Sequence, residues 1–180
     1  MRKKARLMLP FLLLTALIAW GSRSAGARYT LQATLQPAQS QASPPLTLTY
    51  TNKKYRFRFH LPESWKGYSV IAETWSGGVF DEEGNSRGDQ TLRGPLLRIR
   101  SPRWTEADHY QDIPIMIFTK DQWRLVDLGR LVVSAAPFGP EEIGRNSHFV
   151  FALPPRYNYA DAEGIEEVVD LIQRKPLQAY

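Results

Sequence analysis

Arginine and aromatic side chains are the residues in this sequence best suited to binding chemistry. Arg56 and Arg58 alternate along one segment, and Arg98 and Arg100 alternate along another. In a β-strand, residues two apart lie on the same face, so each pair would present two guanidinium groups on one side. A guanidinium binds carboxylate or phosphate groups in a fork and also stacks on aromatic rings. If the two strands lie close together, the sequence predicts a positively charged surface.

Neighbouring basic and aromatic residues extend this predicted surface. The full set of candidate ligand-binding residues is Arg56, Arg58, Arg98, Arg100, Arg103, Trp104, Arg156, Tyr157 and Tyr159. The hypothesis is an anionic ligand or partner, such as a wall polymer or an acidic protein surface. The alternative is an ordinary solvated strand face, on which carboxylates opposite the arginines balance their charge.

Carboxylate and histidine side chains suggest two other chemistries. Glu73, Glu106, Asp108 and Asp112 are candidates, by position only, for the two carboxyl groups that glycoside hydrolysis requires. They support an alternative function, a small cell-envelope hydrolase. His109, with Asp108 and Asp112, is a candidate for a small metal site, but adjacent positions rarely converge on one ion. We therefore predict no catalytic residue, no metal ion and no cofactor.

Several enzyme classes lack their motifs here. The chain contains no cysteine, which excludes thiol nucleophiles, cysteine metal ligands and disulfide bonds. It contains no Gly-x-Ser-x-Gly elbow, no His-Glu-x-x-His and no phosphate loop. The acidic segment 81–89 lacks the ligand spacing of a calcium-binding EF-hand and reads as a solvated loop.

The N-terminus has the pattern of a secretory signal peptide. A basic cluster precedes an apolar run from Leu7 to Trp20, and small residues end at Ala27, after which we expect cleavage. The run is shorter than the roughly 20 residues that span a bilayer comfortably, although an uncleaved membrane anchor is the alternative. The signal-peptide pattern of residues 1–27 therefore predicts that the protein is secreted or lies in the periplasm or cell envelope.

Charge and composition define the rest of the chain. The leader holds five of the 23 basic residues and none of the 18 acidic ones, so the remainder carries 18 of each. This balance does not predict a nucleic-acid partner, which would require a basic excess. Residues 28–46, rich in Gln, Ser and Pro, are predicted to be a flexible linker. Residues 47–180 are predicted to form one domain with an ordinary hydrophobic core.

Hydrophobic periodicity predicts the elements that would position the candidate residues. Apolar residues alternate with basic ones from Tyr55 to Leu61, which predicts a strand with an aromatic buried face. The almost wholly apolar segment 113–118 predicts a central strand buried on both sides. Further strands are predicted over 46–50, 68–75, 96–101, 128–136 and 147–153.

Helical structure is expected at four places. Thr119 is predicted to cap a short helix through Trp123, and 141–144 and 104–112 to form at most single turns. A C-terminal helix with Asp161 as N-cap would bury an apolar stripe at helical spacing, formed by Ile165, Val168, Val169 and Ile172. The predicted class is α+β, with a mostly antiparallel sheet of five to seven strands and the C-terminal helix packed on one face.

The segment Tyr55–Trp65, in which an aromatic strand runs into a proline and then a tryptophan, resembles the Mog1/PsbP-like fold. The strings at 61–70, 111–119 and 149–159 resemble a family of small uncharacterised exported bacterial proteins. That resemblance covers roughly residues 49–172. It implies a non-catalytic binding or accessory role for an unknown protein or anionic cell-envelope partner, and it transfers no activity.

Overall fold

The computed structural model describes residues 43–158 and 162–180, without the side chain of Asp89. The predictions for the signal peptide, for linker residues 28–42, for Tyr159 and for Asp161 lie outside this part of the chain. The strands are Leu46–Asn52 (β1), Phe57–Pro62 (β2), Ser69–Phe80 (β3), Ser86–Arg100 (β4), Ile113–Thr119 (β5), Leu131–Val132 (β6), Glu141–Arg145 (β7), Phe149–Leu153 (β8) and Leu177–Ala179 (β9). The helices are a short 3-10 helix at Glu63–Trp65, α1 at Lys120–Asp127 and α2 at Ile165–Gln173.

The nine described strands form two antiparallel sheets. The smaller sheet has the order β1-β2-β9, and the larger has the order β6-β3-β4-β5-β8-β7. The prediction of mostly antiparallel strands with a C-terminal helix is confirmed, but the strands divide into two sheets where one was expected, because β1, β2 and β9 pair only with one another. The described strands outnumber the five to seven expected because β7 forms where a turn was expected and because β9, only three residues long, pairs with the distant β2.

The main core lies between the two sheets. Phe57 and Phe59 of β2 are fully buried in the same cluster as Leu97 and Ile99 of β4. Helix α2 closes this core, as predicted, with buried residues that include Val168. Because side chains alternate along a strand, the basic residues of β2 and of β4 point outward from opposite sides of this sandwich.

A second core covers the other face of the larger sheet. Trp75, Phe118 and Trp123 pack there, and the Trp75 indole N–H donates to the carbonyl oxygen of Ile117 at 2.9 Å. Helix α1 lies over this core. Thr119 caps it as predicted, through a reciprocal pair of hydrogen bonds with Gln122. β5 is therefore buried on both faces, which confirms its predicted central position.

Four local predictions differ from the structure. Residues 141–144, expected to form a turn, belong to β7, whose pairing with β8 supplies the hydrogen bonds that a helical turn would otherwise make. The strand predicted over 128–136 is reduced to β6. The N-cap of α2 is Gly164, and the buried stripe of this helix runs through Val168 and Leu171, since Val169 and Ile165 are only partly buried.

None of the helices in the described residues has the length and apolar character needed to cross a membrane.

Candidate functional site

Arg98 is held by a carboxylate on the neighbouring strand. The β3–β4 register places Glu73 diagonally opposite Arg98 on the outer face of the larger sheet. The guanidinium donates from Nε and Nη2 to the two carboxylate oxygens of Glu73, at 2.9 Å each. Hydrogen bonds from Arg98, opposed by partial burial, lower the pKa of Glu73. A carboxyl group with a lowered pKa is a poor general acid, so Glu73 is unsuited to that step of glycoside hydrolysis.

Arg100 is neutralised in the same way. Its Nε and Nη2 both lie 3.2 Å from Oδ2 of Asp112, which is 6% exposed. The Arg100 guanidinium also lies 3.8 Å from the ring centre of Trp104, and that ring stacks on His109 with centroids 5.1 Å apart. Arg98 and Arg100 thus face Glu73 and Asp112 in a group with no net charge. This is the balanced strand face that the sequence left open as the alternative.

Arg103 belongs to a third charge-balanced group. It forms an ion pair with Glu167 of α2 and lies 4.0 Å over the ring of Tyr110. The Tyr110 hydroxyl donates to Glu167, and Ser64 donates to the same carboxylate at 2.7 Å. Burial of Glu167 opposes ionisation, but the hydrogen bonds from Tyr110, Ser64 and Arg103, with the charge of Arg103, lower its pKa. Burial, followed by the hydrogen bond to Glu167, raises the pKa of Tyr110.

The Tyr110 group was not predicted from the sequence. Tyr110 and Glu167 are far apart in the chain, and no local pattern links them. The one available signal was the presence of Trp104 and Tyr110 in an otherwise polar connector. The group anchors that connector to the start of α2, where the N–H of Gln111 donates to the carbonyl oxygen of Glu163 at 2.7 Å.

Arg56 and Arg58 lie on the other sheet, away from Arg98 and Arg100. β2 pairs with β1 and β9, whereas β4 pairs with β3 and β5, so the condition for one four-arginine surface is not met. Arg58 lies on the outer face of the smaller sheet, with its guanidinium 5.0 Å from the ring centre of Tyr180. Arg56 lies in the turn before β2, in a left-handed backbone conformation with φ of 59°.

The turn between β1 and β2 adds two lysines to these arginines. All four side chains are exposed, and we call them the basic hairpin: Lys53, Lys54, Arg56 and Arg58. Within the described residues, no Asp or Glu oxygen lies within 4 Å of any of the four charged groups. The basic hairpin therefore differs from Arg98, Arg100 and Arg103, each of which has a carboxylate partner.

The backbone of the basic hairpin is fixed by a residue from the larger sheet. Asn146, in the turn between β7 and β8, donates from Nδ2 to the carbonyl oxygens of Tyr55 and Arg56, at 3.0 and 3.1 Å. The N–H of Tyr180 donates to the same Arg56 oxygen at 3.0 Å, and the N–H of Tyr55 donates to Oδ1 of Asn52 at 2.9 Å. These bonds hold the turn in one conformation.

Arg156 and Tyr157 lie at a separate place, in the turn after β8. They line a cleft of about 330 Å³ beside α2, together with Phe138 and Ile172. The Arg156 guanidinium lies 6.0 Å from the Phe138 ring, and Tyr157 is half-buried at the edge of the main core. Among the described residues that line this cleft, Arg156 is the only candidate arginine.

The remaining catalytic and metal candidates do not converge. Glu106 and Asp108 are exposed in the connector, and His109 stacks on Trp104. Among the residues that the structure describes, no three His, Asp or Glu side chains lie close enough together to hold a metal ion. The arrangement offers cation chemistry at the basic hairpin and structural ion pairs elsewhere.

Comparison with known proteins finds no matching family model, curated protein or solved structure. The resemblance to the Mog1/PsbP-like group and to exported bacterial proteins therefore stays a prediction.

Proposed function

We propose that this chain is an exported, non-catalytic binding or accessory module that binds an anionic cell-envelope partner through the basic hairpin. The observation that carries the proposal is the difference in charge pairing among the predicted arginines. Arg98, Arg100 and Arg103 are already bonded to carboxylates, so binding an external anion would require breaking those bonds. In the described residues, the four cations of the basic hairpin have no such bond to break.

The position of Arg58 suits an anionic group. The Tyr180 ring centre lies 5.0 Å from Cζ of Arg58, so one side of the guanidinium is in contact with an aromatic ring. A fork of two N–H donors matches the spacing of oxygen atoms in a phosphate or carboxylate. Tyr180 is 42% exposed, so it also offers apolar contact area beside the charge.

Rigidity of the turn supports binding as well. The bonds from Asn146 and Tyr180 fix the backbone that carries Lys54 and Arg56 before any partner arrives. A preorganised site loses less conformational entropy on binding, so more of the charge interaction contributes to affinity. An extended polyanion, with charges at regular intervals, would contact several of the four cations at once.

The test measures binding of the purified chain to two polymers, a poly(glycerol phosphate) and a polyglutamate, by calorimetry at low and moderate salt. The double variant Lys54→Glu with Arg58→Glu should weaken binding to the preferred polymer at least about tenfold, because charge-assisted hydrogen bonds contribute about 1.5–3 kcal/mol each. Binding should also weaken as salt rises, as expected of exposed charges.

A matched control makes the same change in net charge at Arg93 of β4 and Lys120, the first residue of α1. Arg93 and Lys120 are exposed, and neither has an ion pair within the described residues. Arg93→Glu with Lys120→Glu should leave binding within about twofold of the parent, since only long-range screened charge is altered. Equal weakening by both double variants, or no binding to either polymer, would overturn the proposal.

A further inference from the structure

The smaller sheet ends in a strand with an open edge. β1 pairs with β2 on one side, and no described strand pairs with its other side. β1 contains no charged residue, no proline and no glycine. Proteins commonly use charges, prolines or very short strands to stop an edge from adding another strand. β1 lacks the first two protections and is seven residues long.

Hydrogen bonding in β2 shows which of its residues face β9. The N–H of His60 donates to the carbonyl oxygen of Pro176, and the carbonyl oxygen of Arg56 accepts from Tyr180, both at 3.0 Å. Even-numbered residues of β2 therefore direct their backbone groups towards β9. Odd-numbered residues such as Phe59 direct theirs towards β1, because these directions alternate along a strand.

The same alternation identifies the groups on the open edge of β1. Phe59 pairs with Tyr50 in the β1–β2 register, so Tyr50 directs its N–H and C=O inward to β2. Its neighbours Thr49 and Thr51 then direct their backbone N–H and C=O outward, to the open edge.

We propose that β1 pairs with β1 of a second copy of this chain, antiparallel about a two-fold axis at Thr49. The sequence Thr47-Leu48-Thr49-Tyr50-Thr51 has the same alternation of threonine and apolar residue in both directions. The axis places Thr49 opposite the partner's Thr49, with two hydrogen bonds between them. It also places Leu48 opposite the partner's Tyr50.

Side chains on both faces of β1 suit this pairing. Thr47, Thr49 and Thr51 are exposed on the outer face, and threonine pairs across strands are favourable. Leu48 and Tyr50 lie at the edge of the main core on the inner face, so pairing them with the partner's Tyr50 and the partner's Leu48 extends that core. Each contact is made twice, as a two-fold interface requires.

Charge at the two ends of β1 is also complementary. Lys53 and Lys54 follow the end of the strand. Near its start, the Thr47 hydroxyl donates to the Glu63 carboxylate at 3.2 Å. Antiparallel pairing brings the lysines of one copy towards the partner's Glu63 on both sides of the axis, although Glu63 already pairs with Lys66 of its own chain at 3.2 Å, so this contact adds little.

The other strand edges fit self-pairing less well. β6 and β9 have two and three residues, and three of the five residues of β7 are charged: Glu141, Glu142 and Arg145. β3 is uncovered from Ser69 to Gly77, but pairing about the middle of that stretch would set Glu73 against the partner's Glu73. Like charges directly opposite are destabilising.

The proposed dimer is weak. A register shift between Leu46 and Leu48 bends the start of β1 and shortens the regular edge. Contacts much smaller than a standard interface give transient association, and we expect a Kd between about 10 μM and 1 mM.

Sedimentation of the purified chain over this concentration range tests the proposal. We expect a concentration-dependent dimer that Thr49→Lys abolishes, because the lysines would oppose each other across the axis. The matched control is Gln178→Lys on β9, exposed on the same sheet, which should dimerise like the parent. Circular dichroism of each variant confirms that it is folded.

A cysteine pair supplies a second measurement, since the chain has no cysteine of its own. Hydrogen-bonded antiparallel residues have Cα atoms about 5.5 Å apart, within the range of a disulfide. At about 100 μM chain, Thr49→Cys should cross-link under mild oxidation about tenfold faster than Gln178→Cys, because pairing raises the local thiol concentration to the order of mM. A monomer at about 1 mM, a dimer retained in Thr49→Lys, or equal cross-linking rates would overturn the proposal.

Discussion

Replacing Gly164 with alanine should destabilise the domain more than any other single methyl addition at a left-handed glycine in the described residues. Gly164 is the N-cap of α2 and has φ of +83°. A Cβ atom built there would lie 2.0 Å from Cζ of Tyr110 and 2.5 Å from its hydroxyl oxygen. The ring cannot move aside freely, since it is 5% exposed and its hydroxyl donates to Glu167.

The expected loss of unfolding free energy in Gly164→Ala has two separable parts. Placing an alanine in the left-handed region costs about 1–2 kcal/mol. Forcing an extra carbon into a packed site costs about 1–3 kcal/mol more. We therefore expect Gly164→Ala to lower the free energy of unfolding by about 2–5 kcal/mol. Urea titration monitored by tryptophan fluorescence measures this loss, provided that the slope of the transition is unchanged.

Gly129 supplies the matched control. It ends α1 with φ of +67°, and no atom lies within 4 Å of the position that a Cβ would occupy. Gly129→Ala should therefore show only the conformational part, about 1–2 kcal/mol. Tyr110→Leu removes the ring atoms that the new methyl would meet. In the Tyr110→Leu background, the loss of unfolding free energy caused by Gly164→Ala should fall to that caused by Gly129→Ala. Equal losses at both glycines, or a Gly164 cost independent of Tyr110, would refute the packing argument.

Two further predictions concern the charge groups. The free energy of unfolding should fall as pH drops below 4.5 through the lowered pKa of Glu167, because Glu167 binds a proton more readily in the unfolded chain. It should also fall as pH rises above 10, because Tyr110 loses its proton more readily in the unfolded chain than in the folded one. Urea unfolding midpoints measured across the pH range test both effects. Glu167→Gln should reduce the loss of stability at acid pH, and an unchanged loss would contradict the role of Glu167. Arg100→Leu should cost about 1–3 kcal/mol, because it leaves Asp112 buried with its main partner removed. The same variant should bind anionic polymers like the parent, and a loss of binding would place the site on the larger sheet.

The sequence predicted the elements whose patterns are local. β2 and β5 follow directly from alternating and continuous apolar residues, and α1 begins at Thr119 because the capping residues are close together in the chain. The sequence Glu141–Arg145 has little strand propensity and predicts a turn, whereas pairing with β8 gives it the strand conformation of β7. β9 is not predicted from the sequence, because three residues are too few to show an alternating apolar pattern.

In the candidate site, too, local features are predicted from the sequence and long-range contacts are not. Alternation correctly placed Arg98 and Arg100 outward, but it could not show that Glu73 and Asp112 would meet them, because that depends on the register of three strands. The sequence could not show whether Arg58 lies near Arg98, because that depends on the order of the strands, which only the complete fold determines. The contrast between bonded and unbonded arginines is therefore visible only in three dimensions.

Completion of the smaller sheet has a consequence for the order of folding. β1 and β2 are adjacent in the chain and pair by closing a short loop, whereas β9, the third strand of their sheet, is the last strand described. Contacts between distant segments form slowly, because a long loop must close first. Until β9 arrives, the hairpin has two open edges rather than one and its aromatic face lacks Leu177. A chain still emerging from a ribosome would expose this hairpin until β9 docks, and unpaired strand edges beside apolar surface are prone to aggregate during that interval.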